Sequence, residues 1–204
     1  MQKERMNQPT AILIATGNTH KTEEIKDILG SNYMVDDLSG KDFPKVDETG
    51  STFLENATLK AVEISKLTDQ WVLSDDSGRE VDALDGESGV YSSRYAGEEG
   101  NDAANNAKLI EELAKREQAT ARGARFRCVI VLAKNGKRMA HFSGAVEGRI
   151  IDSLSGDAGF GYDPLFIPEG YDQTFAQLPS STKNQLSHRS KALESALPWI
   201  AKNL

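Results

Sequence analysis

Two adjacent carboxylates, a hydroxyl and a glycine follow a short apolar run: Trp71-Val72-Leu73 leads into Ser74-Asp75-Asp76-Ser77-Gly78. Open α/β sheets place their ligands where strands end. An acidic pair at such a point can hold a divalent cation or activate a water. Asp, Ser and Gly also favour turns for purely local reasons, so the stretch alone does not decide between site and turn. Two further carboxylates lie upstream, Glu48 and Glu55. Magnesium takes one or two carboxylates and lets substrate phosphates complete its shell. Glu48, in a polar loop, is free to be such a ligand. Glu55 stands three residues after Thr52 and fits a capping box, which gives it a structural task instead. Lys60, about one helical turn further on, faces either the same site or water.

Three other stretches carry chemistry-bearing residues. Thr16-Gly17-Asn18-Thr19-His20-Lys21 joins an apolar run to a helix pattern. Backbone amides at a helix start attract phosphate, and the lysine adds charge. The stretch lacks the second glycine of a Walker A loop. Gly159-Phe160-Gly161-Tyr162-Asp163-Pro164 puts aromatics in a glycine-rich loop. A flat base stacking on Phe160 or Tyr162 would explain them, and so would a hydrophobic plug on the core. Lys183 precedes Ser187-His188-Arg189, where Ser187 is a good helix cap. Basic residues in a first turn oppose the helix dipole, so His188 and Arg189 are not there for helix stability. His20 and His141 have no partners in sequence. Three scattered histidines and one cysteine, Cys128, give no zinc-site spacing.

The elements that must position these residues follow from periodicity. Residues 11–15 and 33–35 read as strands, with a helix between them capped by Asn18 or Thr19 and stopped by Gly30. A helix runs from Thr52 to about Thr68, then a strand over 71–74. Residues 78–100 are rich in glycine and turn residues. Asp102 caps a helix reaching Arg116. Strands 125–134 and 137–148 form a hairpin around Asn135-Gly136. Leu165-Phe166-Ile167 is a short strand. The last helix starts near Ser187 and is kinked or broken at Pro198. Alternating strands and helices with one long antiparallel hairpin predict an α/β fold around a mixed sheet.

Length and composition bound the partners. The 204 residues suit one moderate domain, or two lobes sharing a sheet. A formal charge of -7 argues against nonspecific nucleic-acid binding but leaves room for an anionic small ligand over a local cationic cluster. The polar stretch 1–9 reads as a tail and has no apolar run for a signal peptide, and no segment reaches the ~18 apolar residues of a membrane span. A cytoplasmic protein with no membrane partner is expected, with residues 10–204 as a single domain. The lone cysteine reads as a small buried hydrophobe.

Taken together, these segments resemble the inosine triphosphate pyrophosphatase family. The resemblance rests on Thr16-Gly17-Asn18 with Lys21; on Glu48-Thr49-Gly50, Thr52-Phe53 and Glu55-Asn56-Ala57; and on Asp75-Asp76-Ser77-Gly78. It continues through Gly89-Val90-Tyr91-Ser92 with Arg94-Tyr95-Ala96-Gly97, then Gly159 to Phe166, and Ser187-His188-Arg189. It implies an elongated two-lobed mixed sheet flanked by helices, with an active-site cleft between the lobes, and a homodimer. It implies magnesium-assisted hydrolysis of ITP, dITP and XTP to the monophosphate and pyrophosphate. By position, Thr16, Gly17, Asn18, Thr19, His20 and Lys21 would hold the triphosphate. Asp76 would be general base and metal ligand, Glu48 a second metal ligand and Ser77 a substrate contact. Phe160, Gly161, Tyr162, Asp163, Lys183, His188 and Arg189 would bind nucleotide, with Phe160 on the base.

Two positions depart from the family pattern. Arg79 stands where the family usually has an apolar residue, and is expected either to add a phosphate contact or to point to solvent. Pro179-Ser180-Ser181-Thr182 stands where the family often has acidic residues. Other readings remain in view. They are the related septum-inhibitor-like nucleotide pyrophosphatases, a nucleotide-binding regulator without catalysis, and an NTP-dependent kinase. The kinase would need a Walker A loop that the chain lacks.

Overall fold

The computed structural model describes residues 10–116 and 122–204, so the tail expected over 1–9 lies outside the described residues. The apolar run 11–15 is strand β1 (Thr10–Ile14), followed by helix α1 (Thr19–Leu29) and strand β2 (Tyr33–Asp36). Asn18 caps α1, its side chain accepting the N–H of His20 and of Lys21, and Gly30 ends it with φ at 68°. Helix α2 (Phe53–Ser65) opens on the expected capping box of Thr52 and Glu55. Strand β3 (Trp71–Val81) and helix α3 (Asp102–Ala114) follow, then the hairpin of β4 (Gly123–Lys134) and β5 (Lys137–Ile150). Asn135 and Gly136 join the hairpin, both with positive φ, as a two-residue turn matching the strand twist requires. Strand β6 (Phe166–Pro168), helix α4 (Ser180–Leu186) and helix α5 (His188–Asn203) complete the chain.

The six strands form one mixed sheet in the order β2-β1-β3-β4-β5-β6. β1 pairs parallel with β2 and β3, and the remaining pairings are antiparallel. Successive residues of a strand leave opposite faces. Ile12, Ile14, Leu73, Ile130 and Leu132 therefore face α1 and α5, while Leu13, Val72, Val131 and Ala133 face α2. The far ends of the same long strands enter another core, where Val81, Phe126, Val146 and Ile150 pack with Leu109, Phe166 and Phe175. Each fully buried Leu, Ile or Phe contributes about 1.5–3 kcal/mol by leaving water. Two hydrophobic ends joined by shared strands make two lobes, and the polar residues of β3 fall between them.

Several boundaries differ from expectation. The strand expected to stop at residue 74 runs to Val81, so Asp75 to Gly78 are strand rather than terminal turn. The ladder with β4 explains this: Val72 to Val81 pair residue by residue with Ala133 to Ala124, and tertiary pairing outweighs local turn preference. Asn101, not Asp102, caps α3 by accepting from Ala104. The strand expected at 165–167 is Phe166–Pro168, and α4 was not anticipated. Helix α5 is not broken at Pro198. Pro198 is exposed, so the Glu194 carbonyl that loses its helical partner can turn to water. Among the described residues no helix is long and apolar enough to cross a membrane.

Helix α5 carries two of the candidate site residues and lies directly on β5 at Gly144. A Cβ on Gly144 would collide with the His188 carbonyl and the Ala192 amide, and would stand 2.9 Å from the Lys191 Cβ. Gly144→Ala should therefore push α5 outward and lower stability by about 1–3 kcal/mol. Urea unfolding measures this, and an unchanged midpoint would show that the helix is not held by this contact.

Candidate active site

β1 ends at Ile14, opposite Leu73, and its last link to β3 is the Ala15 N–H to Leu73 carbonyl bond at 2.7 Å. β3 runs on for eight residues beyond that point, paired along β4. The carboxyl end of the parallel half thus opens beside Asp75 and Asp76, although they do not end their own strand. A cleft of about 950 Å³ lies there. The candidates given a substrate, metal or catalytic role line it, namely the 16–21 turn, Glu48, Asp76, Ser77, residues 160–163, Lys183, His188 and Arg189, whereas Asp75 and Glu55 do not.

The two aspartates do different work because they leave opposite faces of β3. Asp75 is fully buried. Its carboxylate accepts from Arg189 Nη2 at 3.0 Å, Arg189 Nε at 3.2 Å and Ser77 Oγ at 3.1 Å, and pairs with Lys21 Nζ at 3.2 Å. Burial would raise its pKa, but Lys21, Arg189 and Lys60 outweigh that and hold the group far below the usual carboxylate range. Asp75 is thus a permanent anion and an anchor, with its hydrogen bonds committed.

Asp76 meets Lys60 Nζ at 3.0 Å, and the same ammonium is 3.3 Å from Glu48. One cation serves two carboxylates. Burial, opposed by Lys60 and reinforced by Glu48, pushes Asp76 up to about 6. Glu48 would also be raised by burial, but Lys60 and its hydrogen bond with Asp76 hold it below the usual range. One proton therefore resides on Asp76 until near-neutral pH, while Glu48 stays ionised. Asp76 Oδ2 is buried without a hydrogen-bond partner among the described residues. A carboxylate oxygen left unpaired is costly, and it is a free ligand or proton acceptor. Lys60 faces the site rather than water. Glu55 keeps to its cap, accepting from Ser51 and Thr52.

The other wall is held by a chain of charges that the sequence did not reveal. Glu24 of α1 pairs with Arg189 and, at 2.7 Å, with Lys183, which also meets Asp163 at 2.7 Å. Asp163 in turn accepts the Phe160 N–H at 2.9 Å. Glu24 was missed because it belongs to no motif; its only signal is its place three residues after Lys21, on the same helix face. α3 fastens this loop too: Asp102 accepts the Gly161 N–H at 2.7 Å and Asn106 donates to the Gly161 carbonyl at 2.9 Å. The Phe160 ring stacks on His20 with centroids 5.7 Å apart and planes 14° from parallel, and Lys183 Nζ is 4.7 Å from its centroid. A flat ring entering here would take the place of His20. His188 is buried against Phe126 and held neutral by burial and by the charges of Arg189 and Lys183.

The 16–21 turn is less open to anions than its sequence suggests. The amides of His20 and Lys21 are already bound by the Asn18 side chain, and the Asn18 amide by Thr16 Oγ at 3.1 Å. Arg79 does not point to solvent, as one of its two readings expected. It is fully buried, with its guanidinium between the rings of Tyr95 at 4.7 Å and Tyr162 at 4.2 Å. Its register position faces inward and its cross-strand neighbour is Phe126, which no pattern of the sequence disclosed.

The charge on Asp76 works against folding. In an unfolded chain the group ionises near 3.8, in the fold near 6, so folding takes up a proton between these values. Its destabilising effect is absent below the lower value and complete above the upper one. Asp76→Asn should raise stability at neutral pH by about 1–3 kcal/mol, with a gain that disappears below about pH 4. Thermal unfolding of both proteins across pH checks this, and a less stable variant at pH 8 would refute the assignment.

The geometry can be set beside known proteins. The model of the Ham1 family matches residues 12–199. The dITP/XTP pyrophosphatase of Oceanobacillus iheyensis is 44% identical over 193 residues, covering 93% of this chain and 97% of that protein. The dITP/XTP pyrophosphatase of Exiguobacterium sibiricum is 49% identical over 185 residues, covering 90% and 93%. The Staphylococcus aureus Ham1 protein superposes with a TM-score of 0.83 at 42% identity, covering 96% of this chain and all of that one. With the mixed sheet, the cleft and these relatives in agreement, the chain belongs to the Ham1 family.

Proposed function

We propose that this protein hydrolyses deaminated purine nucleoside triphosphates, ITP, dITP and XTP, to the monophosphate and pyrophosphate, removing them from the nucleotide pool. The observation that carries the reading is the Asp76–Glu48–Lys60 cluster in a cleft that is also lined by the Phe160 ring. Relatives named dITP/XTP pyrophosphatase, 43% to 49% identical, supply the substrate class.

In this reading Asp76 is the general base. It takes a proton from a water that attacks the α-phosphorus; the bond from that phosphorus to the bridging oxygen breaks, and pyrophosphate leaves. Lys21, from the 16–21 turn, offsets phosphate charge, and Ser77 contacts the substrate. Phe160 stacks on the base, with Gly161, Tyr162, Asp163, Lys183, His188 and Arg189 around it. The residues fit magnesium: Glu48 and Asp76 are hard oxygen donors, and Asp76 Oδ2 has no other partner. Bound there, magnesium would neutralise charge on the phosphates. Positioning and charge compensation then supply most of the rate. A 6-oxo purine accepts a hydrogen bond that Arg189 or a backbone N–H could donate, whereas the 6-amino group of adenine would face donor with donor. The same reading includes one domain over residues 10–204, a homodimer and a cytoplasmic location.

Pyrophosphate release from ITP, dITP, XTP, GTP and ATP tests it, with magnesium and with EDTA. Release from the first three, abolished by EDTA and weak for GTP and ATP, is expected. Orthophosphate release would mean attack at a terminal phosphate and would refute the mechanism. Asp76→Asn should lose about 10²-fold or more in kcat, the usual worth of a positioned base.

A further inference from the structure

Six lysine or arginine side chains line the cleft among the described residues. Five are matched by carboxylates: Lys21 by Asp75, Lys45 by Glu99, Lys60 by Glu48 and Asp76, Lys183 by Glu24 and Asp163, and Arg189 by Glu24 and Asp75. Arg79 makes no salt bridge to any described residue. Its Nη1 donates to the Glu87 carbonyl at 3.2 Å; among the described residues Nε and Nη2 are buried without a hydrogen bond of normal geometry, and the neutral hydroxyls of Tyr162 and Tyr95 act on the group without matching its charge. A guanidinium stays charged at any working pH, and a buried charge without a counter-ion is expensive unless it serves something.

Its surroundings show what it can serve. The guanidinium is clamped between Tyr95 and Tyr162, and Tyr162 belongs to the 160–163 loop on the base side of the cleft. The charged groups around the clamp act on its tyrosines instead. Glu87 accepts from the Tyr95 hydroxyl at 3.1 Å, and Lys108 stands 4.4 Å over the Tyr95 ring. Glu112 acts on Tyr95 and Asp102 on Tyr162. Burial pushes Tyr95 up to about 12 and raises Tyr162 as well, so neither ionises near neutral pH. The base side of the cleft is thus backed by a fixed positive charge in a low-dielectric wall, where Coulomb interactions reach further than in water. Salt screens such a buried charge poorly.

We propose that Arg79 determines specificity for a purine that carries negative charge, favouring ionised xanthine over neutral hypoxanthine. This rests on the function proposed above. Xanthine in a nucleotide has a second ring carbonyl and loses a ring proton near neutral pH, whereas hypoxanthine stays neutral there. The two substrates share the triphosphate and sugar, so a positive charge behind the base wall separates them only once xanthine ionises.

The test is the ratio of kcat/KM for XTP to that for ITP, followed from about pH 5 to pH 9 in wild type, Arg79→Met and Arg79→Lys. Titration of Asp76 and Glu48 affects both substrates and cancels in the ratio. In wild type the ratio should climb as xanthine ionises. Arg79→Met keeps the length of the side chain without its charge and should flatten the climb, lowering the ratio about tenfold at the alkaline end. Arg79→Lys should keep most of it. A wild-type ratio that does not change with pH overturns the assignment without any variant, which covers the case of a methionine variant that fails to fold. An Arg79→Met ratio that climbs like wild type, or equal losses on both nucleotides, would reduce Arg79 to a packing element. Wild type that releases pyrophosphate from neither nucleotide would overturn the proposed activity itself, a result distinct from turnover with a flat ratio.

Discussion

The buried ion pair between Asp75 and Arg189 is the interaction on which the cleft depends. It joins the middle of β3 to the first turn of α5, and its members are extended through Lys21 and Glu24 of α1 to Lys183 of α4 and Asp163 of the base-side loop. Three carboxylates face three cations in this chain, so it is balanced. Desolvating such charges costs several kcal/mol per ion unless each keeps good partners. Every member here has two charged partners except Lys21 and Asp163, which end the chain. The network is therefore poor at adding stability but strong at fixing geometry: moving any one element would strand the charge of another.

The second cluster is built on the opposite principle. Among the described residues Lys60 is the cation paired directly with both Glu48 and Asp76, one cation against two carboxylates. Burial, with the Glu48 charge added to it against a single opposing cation, raises the Asp76 carboxyl to about 6, and among the described residues one of its oxygens has no hydrogen-bond partner. A site that must take a proton from water, or receive a cation, benefits from this unmet demand. Folding stability is lower as a result, a compromise common at reactive sites. The balanced network holds the scaffold still so that the unbalanced one can remain reactive.

Both clusters exist because β3 outruns β1. Where the parallel pairing stops at Ile14 and Leu73, α1 and its lysine begin, and the freed edge of β3 is approached from both faces. Alternation along the strand then sends Asp75 towards α1 and α5 and Asp76 towards α2. The same alternation turns Arg79 to the side of Asp75, into the aromatic clamp of Tyr95 and Tyr162.

Much of this was fixed by local chemistry and is legible in the chain itself. The Thr52–Glu55 capping box, the Asn18 and Ser187 caps and the Asn135-Gly136 turn depend on contacts within a few residues, so their residue types suffice to place them. The order of the strands and of every helix but α4 also follows from periodicity, and the set of residues that meet in the cleft follows from the resemblance to the inosine triphosphate pyrophosphatase family. Other features depend on partners far along the chain. Asp75 to Gly78 carry turn residues, and only the β4 ladder makes them strand. The division of labour between Asp75 and Asp76 depends on what lies over each face, and Glu24 acquires its role from Lys183 and Arg189, 159 and 165 residues away. Arg79 reads as a solvent or phosphate-facing charge because nothing near it in sequence announces two tyrosines that converge only in the fold. Local hydrogen bonding and hydrophobic period decide the elements; burial and long-range pairing of charge decide which of their residues can react.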